Sequence, residues 1–264
     1  SVLVIGHSKE KEKEWTDKGA HFETADIIDS VKLKELFARS ERIFILNPPA
    51  DPAGDAEAQE LKQVESILKA LKGLKPEKIV MASTYGAQEG TGIFDLGTLY
   101  QLEQGLKAHG APLAIIRSAY YMSNLDMPVQ MAMETGKFTT VLPADFKLPM
   151  VAPTDIGKFA AELIQDDRAG TFYIQAKEEY SANDAAKVLS GILKKDITTN
   201  EIPEAEWASY MEENGFSKES AQSFIGMTRL TIYEKFEAPD PEYGETTLEE
   251  YLQWNIGAKN KDQR

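Results

Sequence analysis

Short strand-like runs alternate with helix-length segments through the first two-thirds of this chain. That alternation constrains the fold more than any single motif. Val2–Ile5, His21–Ala25, Ile43–Leu46, Lys78–Ala82 and Leu113–Ile116 read as strands. Between them, Glu10–Lys18, Lys32–Ala38, Asp55–Leu74 and Leu99–His109 read as helices. Leu61, Val64, Ile67, Leu68 and Leu71 recur at helical spacing, and Gly19 and Gly110 stand where helices stop. Thr154 is placed to cap a helix from Asp155 to Gln165, and Thr171–Gln175 reads as a further strand. Strands joined through helical crossovers lie parallel, with helices on both faces of the sheet. Ile43-Phe44-Ile45-Leu46 is apolar throughout, as expected of a strand covered on both sides. The expected class is α/β, a doubly wound parallel sheet.

From Tyr180 the pattern turns helical. Ser181-x-x-Asp184 reads as an N-cap pair opening a helix through Val188, Leu189, Ile192 and Leu193. A helix through Trp207, Tyr210 and Met211 stops at Gly215, another follows Ser217, and Thr247–Trp254 is a short amphipathic helix. The expectation is a single domain. Its core is residues 1–125 plus 150–176, and a smaller, mostly helical C-terminal cap on the substrate side is 126–149 plus 177–258. Residues 259–264 form a polar tail.

Composition narrows the function classes. With 264 residues and 42% hydrophobic residues the chain can bury a substantial core. No apolar run is long enough to cross a bilayer. Ser1–Gly6 is too short for a signal peptide and lacks a preceding basic region, so the expected location is cytoplasmic, away from membranes. A net charge of -14 would repel a phosphate polymer, which argues against a nucleic-acid partner. With no cysteine there are no thiolate nucleophiles or ligands, and His7, His21 and His109 are scattered without metal-binding spacing, so no metal site is expected.

Ligands of open parallel sheets bind beyond the carboxyl ends of the strands. Here those ends are Gly6-His7-Ser8, Asp26-Ile27, Asn47-Pro48-Pro49, Ser83-Thr84-Tyr85 and Arg117-Ser118. In order, these segments resemble the NmrA-like family of atypical short-chain dehydrogenases. Asp26-Ile27 resembles the family's Gly-Asp-Leu adenine contact, with Ala25 in place of glycine. Asn47-Pro48-Pro49 resembles its Thr/Asn-Pro-Pro loop, and Ser83-Thr84-Tyr85-Gly86-Ala87 its Ser-Ser-x-Gly-Ala turn. Ile116 to Leu125 resembles Leu-Arg-Pro-x-x-Phe-Met-x-Asn-Leu, with Ser118 in place of proline. Val151 to Gly157 resembles the Val-x-x-x-Asp-Ile-Ala/Gly element.

The resemblance implies a Rossmann-like fold and NADP, or NAD, as cofactor. The implied cofactor-binding residues are His7, Ser8, Lys9, Asp26, Ile27, Asn47, Pro48, Pro49, Ser83, Thr84 and Tyr85. The implied substrate residues are Tyr85, Tyr120, Tyr121, Met122 and Asn124. Each aromatic can equally be core packing, and His7 can equally be a plain surface histidine. The implied activity is hydride transfer to a quinone, azo or aromatic carbonyl acceptor. The alternatives are a non-catalytic NAD(P)-sensing regulator, or a truncated form with impaired cofactor binding. A homodimer and a regulatory protein partner both remain open.

Two departures bear on this. After Gly6 comes His7-Ser8-Lys9-Glu10-Lys11, with no glycine-rich loop, and spacing aligns the opening run with the family's second strand. Either the sequence is a fragment of a longer protein, or Val2–Ile5 takes the central slot of the sheet and a helix plus a strand were lost; in both cases weak dinucleotide binding by this chain is expected. Second, no helix carries Tyr-x-x-x-Lys. Aligning on Glu103 puts Asp95 at the tyrosine position and Leu99 at the lysine position. Tyr173-x-x-x-Lys177 lies on an expected strand, where four residues span roughly 13 Å, too far for the pairing. The catalytic residue is left unassigned.

Overall fold

The computed structural model describes residues 1–234 and 236–262. Its strands are β1 (Leu3–Gly6), β2 (His21–Thr24), β3 (Arg42–Ile45), β4 (Lys78–Thr84), β5 (Leu113–Ser118), β6 (Tyr120–Tyr121), β7 (Lys137–Thr140), β8 (Leu148–Val151), β9 (Gly170–Ala176), β10 (Glu179–Tyr180), β11 (Thr198–Glu201) and β12 (Glu242–Gly244). Its helices are α1 (Glu12–Asp17), α2 (Ser30–Phe37), α3 (Ala56–Leu71), α4 (Asp95–His109), α5 (Asp126–Thr135), α6 (Pro153–Gln165), α7 (Ala182–Leu193), α8 (Trp207–Glu213), α9 (Lys218–Tyr233) and α10 (Leu248–Asp262).

The main sheet runs β12-β9-β5-β4-β3, and every pair in it is parallel. Alternation along β4 shows why it is doubly wound. Ile79 and Met81 pack with Val64, Ile67 and Leu71 of α3 and Leu102 and Leu106 of α4. Val80, one residue out of phase, packs with Ile116, Ile174, and Ile156, Phe159 and Leu163 of α6. Side chains of successive strand residues point to opposite faces, so α3 and α4 cover one face and α6 the other.

β1 pairs in parallel with β2 and forms a separate two-stranded sheet. It is not bonded to β3, so Val2–Ile5 does not take the central slot. The expected two-sided burial of Ile43–Leu46 holds on one side only: Ile43 and Ile45 are buried, whereas Phe44 is 46% and Leu46 53% exposed. The physical reason is that β3 is the last strand of the main sheet, and α6, which reaches across β3, β4 and β5, leaves these two side chains uncovered. The β1–β2 unit is tied down through α2, which packs on α3 with Leu33 and Leu36 buried.

Local chemistry sets several helix starts. Asp29 accepts from the Val31 and Lys32 amides, Asp55 from Ala58, and Ser217 from Ser220. Ser181 and Asp184 form the expected reciprocal capping box. Thr154 does not cap α6. The helix starts at Pro153, whose missing N–H needs no acceptor in the first turn, and Ala152 holds the N-cap position.

The cap is built around Leu125, Val129, Phe138, Leu189, Leu248 and Leu252, among other buried apolar residues. It also holds strands: β7 pairs with β11, and β8 lies between β10 and β6. α10 continues to Asp262, past the expected start of the polar tail; residues 263 and 264 of that tail lie outside the described residues. No described helix is long and apolar enough to cross a membrane.

Candidate functional site

The parallel registers bring the carboxyl ends of β3, β4, β5 and β9 to one side of the sheet. Thr84 pairs with Ser118, and Ser118 with Ile174. The Tyr85 amide then bonds the Ser118 carbonyl at 2.9 Å, and the Ala119 amide bonds the Ile174 carbonyl at 2.9 Å. The Tyr85 hydroxyl is 3.0 Å from Gln175 Oε1, and its ring meets Tyr173 edge-on at 5.6 Å. Burial pushes the Tyr85, Tyr120 and Tyr121 phenols up, Tyr120 to about 12, so all three stay neutral near pH 7. Gly86 turns the chain after β4 at φ +72°, and a side chain there would meet the Phe236 ring.

The other expected residues divide into three groups. Asn47, 7% exposed, ends the β3 tip with neither Oδ1 nor Nδ2 hydrogen-bonded. Ser118 Oγ is buried beside the Tyr121 hydroxyl. Pro48 is half-buried and Pro49 exposed beside Asn47. His7, Ser8 and Lys9 form the turn after β1, with His7 and Lys9 exposed. Asp26 is exposed and its carboxylate accepts from the Ile28 amide, while Ile27 packs beside the α3–α4 core. Tyr120 packs on the cap core and Tyr121 on the α6-side core; Asn124 is exposed. Met122, fully buried, is part of the cap core rather than of an accessible wall.

Ser83 also faces inward. Its hydroxyl donates to Glu103 Oε1 at 2.6 Å. Arg117 grips the same carboxylate with two bonds, Nε to Oε1 at 2.9 Å and Nη2 to Oε2 at 2.8 Å. This network ties the tips of β4 and β5 to α4.

A second pair of acids lies nearby. Glu60 of α3 is buried; its Oε2 accepts from Thr98 Oγ1 at 2.8 Å and its Oε1 from the Ala50 amide at 3.3 Å. Asp95 opens α4 with Oδ1 occluded and unpartnered. Burial, with the Glu60 charge adding to it, raises the Asp95 carboxyl to about 7. The sequence reading put Asp95 at the tyrosine position and passed over Glu60. The signal was there, since Glu60 lies on the α3 stripe Ala56, Val64, Ile67, Leu71, where a carboxylate must be buried.

The NmrA-like family model matches residues 1–259. The chain is a member of the NmrA-like family. No curated relative matches it in sequence. Among solved structures, the Escherichia coli NADPH-dependent quinone oxidoreductase in complex with NADPH superposes with a TM-score of 0.76 at 18% identity, over 96% of this chain and 90% of that one. The Citrobacter sp. triphenylmethane reductase in complex with NADP(H) gives 0.75 at 16%, over 96% and 90%. A Staphylococcus aureus nucleoside-diphosphate-sugar epimerase gives 0.74 at 18%, over 95% and 90%. At these identities the likeness shows the fold, a Rossmann-like one, which this NmrA-like chain shares with these two reductases and this epimerase.

The site fits half of a dinucleotide. Asn47 offers a buried donor and acceptor that no group among the described residues satisfies. These suit a carboxamide or sugar hydroxyl. A pyrophosphate is poorly served: α1 is a single short helix whose first turn carries Glu12 and Glu14, and no glycine-rich turn precedes it.

Proposed function

We propose that this NmrA-like protein is an NAD(P)H-dependent reductase acting on a flat aromatic acceptor, such as a quinone, an azo compound or an aromatic carbonyl. The carrying observation is Asn47. A buried amide with both atoms unpaired is costly unless a ligand completes it. In this reading the Asn47-Pro48-Pro49 loop and the Ser83-Thr84-Tyr85 turn bind the cofactor, with His7, Ser8, Lys9, Asp26 and Ile27 reaching its adenosine end. Ser83 contributes through its bond to Glu103, which sets the turn. Tyr85, Tyr120, Tyr121 and Asn124 face the acceptor, with Met122 supporting the tyrosines from behind. When bound, the reduced nicotinamide supplies hydride. The tyrosine rings orient the acceptor and exclude water, and their neutral hydroxyls add polar contacts. Because the chain lacks a phosphate cradle, the dinucleotide is held weakly. A cytoplasmic location, where reduced dinucleotides are available, fits the same reading.

A second reading is a dinucleotide sensor acting on a partner protein. It is favoured by the missing helical Tyr-Lys pair: Tyr173 sits on β9 and Lys177 lies just past its end. NADPH oxidation with a panel of quinones and dyes separates the two. Turnover supports the reductase. Binding that distinguishes oxidised from reduced cofactor, with no turnover, supports the sensor.

A further inference from the structure

Asp95 is held in place by an unusual local structure. Phe94, the residue before it, has φ 51° and ψ -133°, a conformation disfavoured for a bulky side chain. Neighbours enforce it. The Glu57 carboxylate accepts from the Gly92 amide at 2.8 Å and the Phe94 amide at 3.2 Å. The Phe94 ring meets Phe224 edge-on at 6.1 Å, and Phe224 meets Phe216 at 5.6 Å. Gly226 of α9 comes so close to Gly92 that a Cβ would lie 2.0 Å from the Gly92 carbonyl oxygen. Strain maintained by several elements at once commonly marks a functional position.

Glu60 Oε1 accepts from the Ala50 amide and Oε2 from the Thr98 hydroxyl, two donors that oppose the upward push of burial on Glu60. Asp95 Oδ1 is occluded without a partner, and burial with the Glu60 charge outweighs the Asp95 and Leu96 amides that face its carboxyl. Among the described residues no lysine, arginine or histidine lies in ion-pair range of either group. The titratable groups around Asp95 are Glu60 and Glu57 from α3 and Tyr121 from β6. Ala50 directly follows the Asn47-Pro48-Pro49 loop, and Tyr121 is close enough to feel the charge of Asp95. The pair thus sits between the expected cofactor loop and the expected acceptor wall.

We infer that Asp95 is the proton donor to the acceptor. The inference rests on the reductase reading. A bound reduced nicotinamide would supply hydride to the carbon of an aromatic carbonyl and would itself be oxidised. As the C=O π bond breaks, Asp95 gives its proton to the oxygen, and water reprotonates the Asp95 carboxylate. A raised carboxyl matched to neutral pH suits this work.

Two measurements test it together. The first needs no cofactor: difference infrared spectra of the unliganded protein between pH 5 and pH 9. The expected result is a protonated-carboxyl band that titrates near neutrality, vanishes in Asp95→Asn and moves to a lower midpoint in Glu60→Gln. The second is single-turnover reduction of phenanthrenequinone by NADPH. Wild type should slow about tenfold per pH unit above its midpoint, and Asp95→Asn should be at least about tenfold slower at pH 6, with no such slope. No neutral titration, or an Asp95→Asn protein with the wild-type rate and profile, overturns the proposal. A wild type that shows the titration but transfers no hydride overturns the donor role by way of the reductase reading, and leaves the shared proton established. A cooperative melt of Asp95→Asn at pH 5, at a temperature no lower than wild type, checks that the variant folds.

Discussion

Replacing Arg117 with methionine tests how much of the site depends on one buried ion pair. The substitution keeps the aliphatic bulk and removes two charge-assisted bonds, at 2.9 and 2.8 Å, from a carboxylate whose residue is 0% exposed. Glu103 keeps the Ser83 hydroxyl at 2.6 Å and the Lys107 ammonium at 3.6 Å. Losing one partner of a buried pair costs about 3–5 kcal/mol. Because Lys107 lies on the adjacent turn, the lower end is expected, ~3 kcal/mol. Unfolding entropy of about 2.1 cal/mol/K per residue makes ~0.55 kcal/mol worth one degree in a chain of 264 residues, so Tm should fall by roughly 5 °C. The double variant Arg117→Met with Glu103→Leu removes the stranded charge and should recover most of that loss. Calorimetric or circular-dichroism melts measure both. A single variant within 1 °C of wild type, or a double variant no better than the single, would show that the pair does not anchor the β4 and β5 tips to α4.

Three further outcomes are expected. Asp95 has a folded-state pKa of about 7 against 3.8 when unfolded, so its contribution to stability is present below 3.8 and is lost as pH rises through 7. Asp95→Asn should therefore gain on wild type in denaturant melts between pH 4 and pH 8, by on the order of 4 kcal/mol at most; a constant difference would contradict the assigned shift. Asn47→Leu removes two unsatisfied buried atoms, so it should raise Tm while weakening NADPH binding severalfold by calorimetric titration; unchanged affinity would remove Asn47 from the site. Gly226→Ala would push a methyl into the Gly92 carbonyl and should cost about 1–3 kcal/mol, read as a fall in Tm of a few degrees.

Much of the Rossmann-like half was legible from sequence because strand and helix periods there are set by burial. β3, β4, β5 and β9, with α3, α4 and α6 between or after them, lie within a few residues of their expected places. Ser181 with Asp184 could be read because a capping box is local chemistry. Thr154 misled because Pro153, one residue earlier, competes for the same helix start. The cap strands were missed because β7, Lys-Phe-Thr-Thr, and β11, Thr-Thr-Asn-Glu, carry little apolar pattern and pair with partners distant in sequence. Phe44 and Leu46 read as buried because sequence shows only that they are apolar; whether anything lies over them depends on which strand ends the sheet. The tip residues were named as a group. Which of them would have unpaired polar atoms depended on the Glu103 network, which satisfies Ser83 and leaves Asn47 without a partner.

β12 constrains how anything enters or leaves. After α9 the chain inserts Glu242–Gly244 as a parallel strand against Ile174, Gln175 and Ala176, then goes on to α10 in the heart of the cap. The Thr246 amide is clasped by Asp155 at the start of α6 at 2.9 Å, and the closeness of Gly244 to that carboxylate leaves no room for a side chain. A jaw-like swing of the cap would have to unzip this strand and that clasp together.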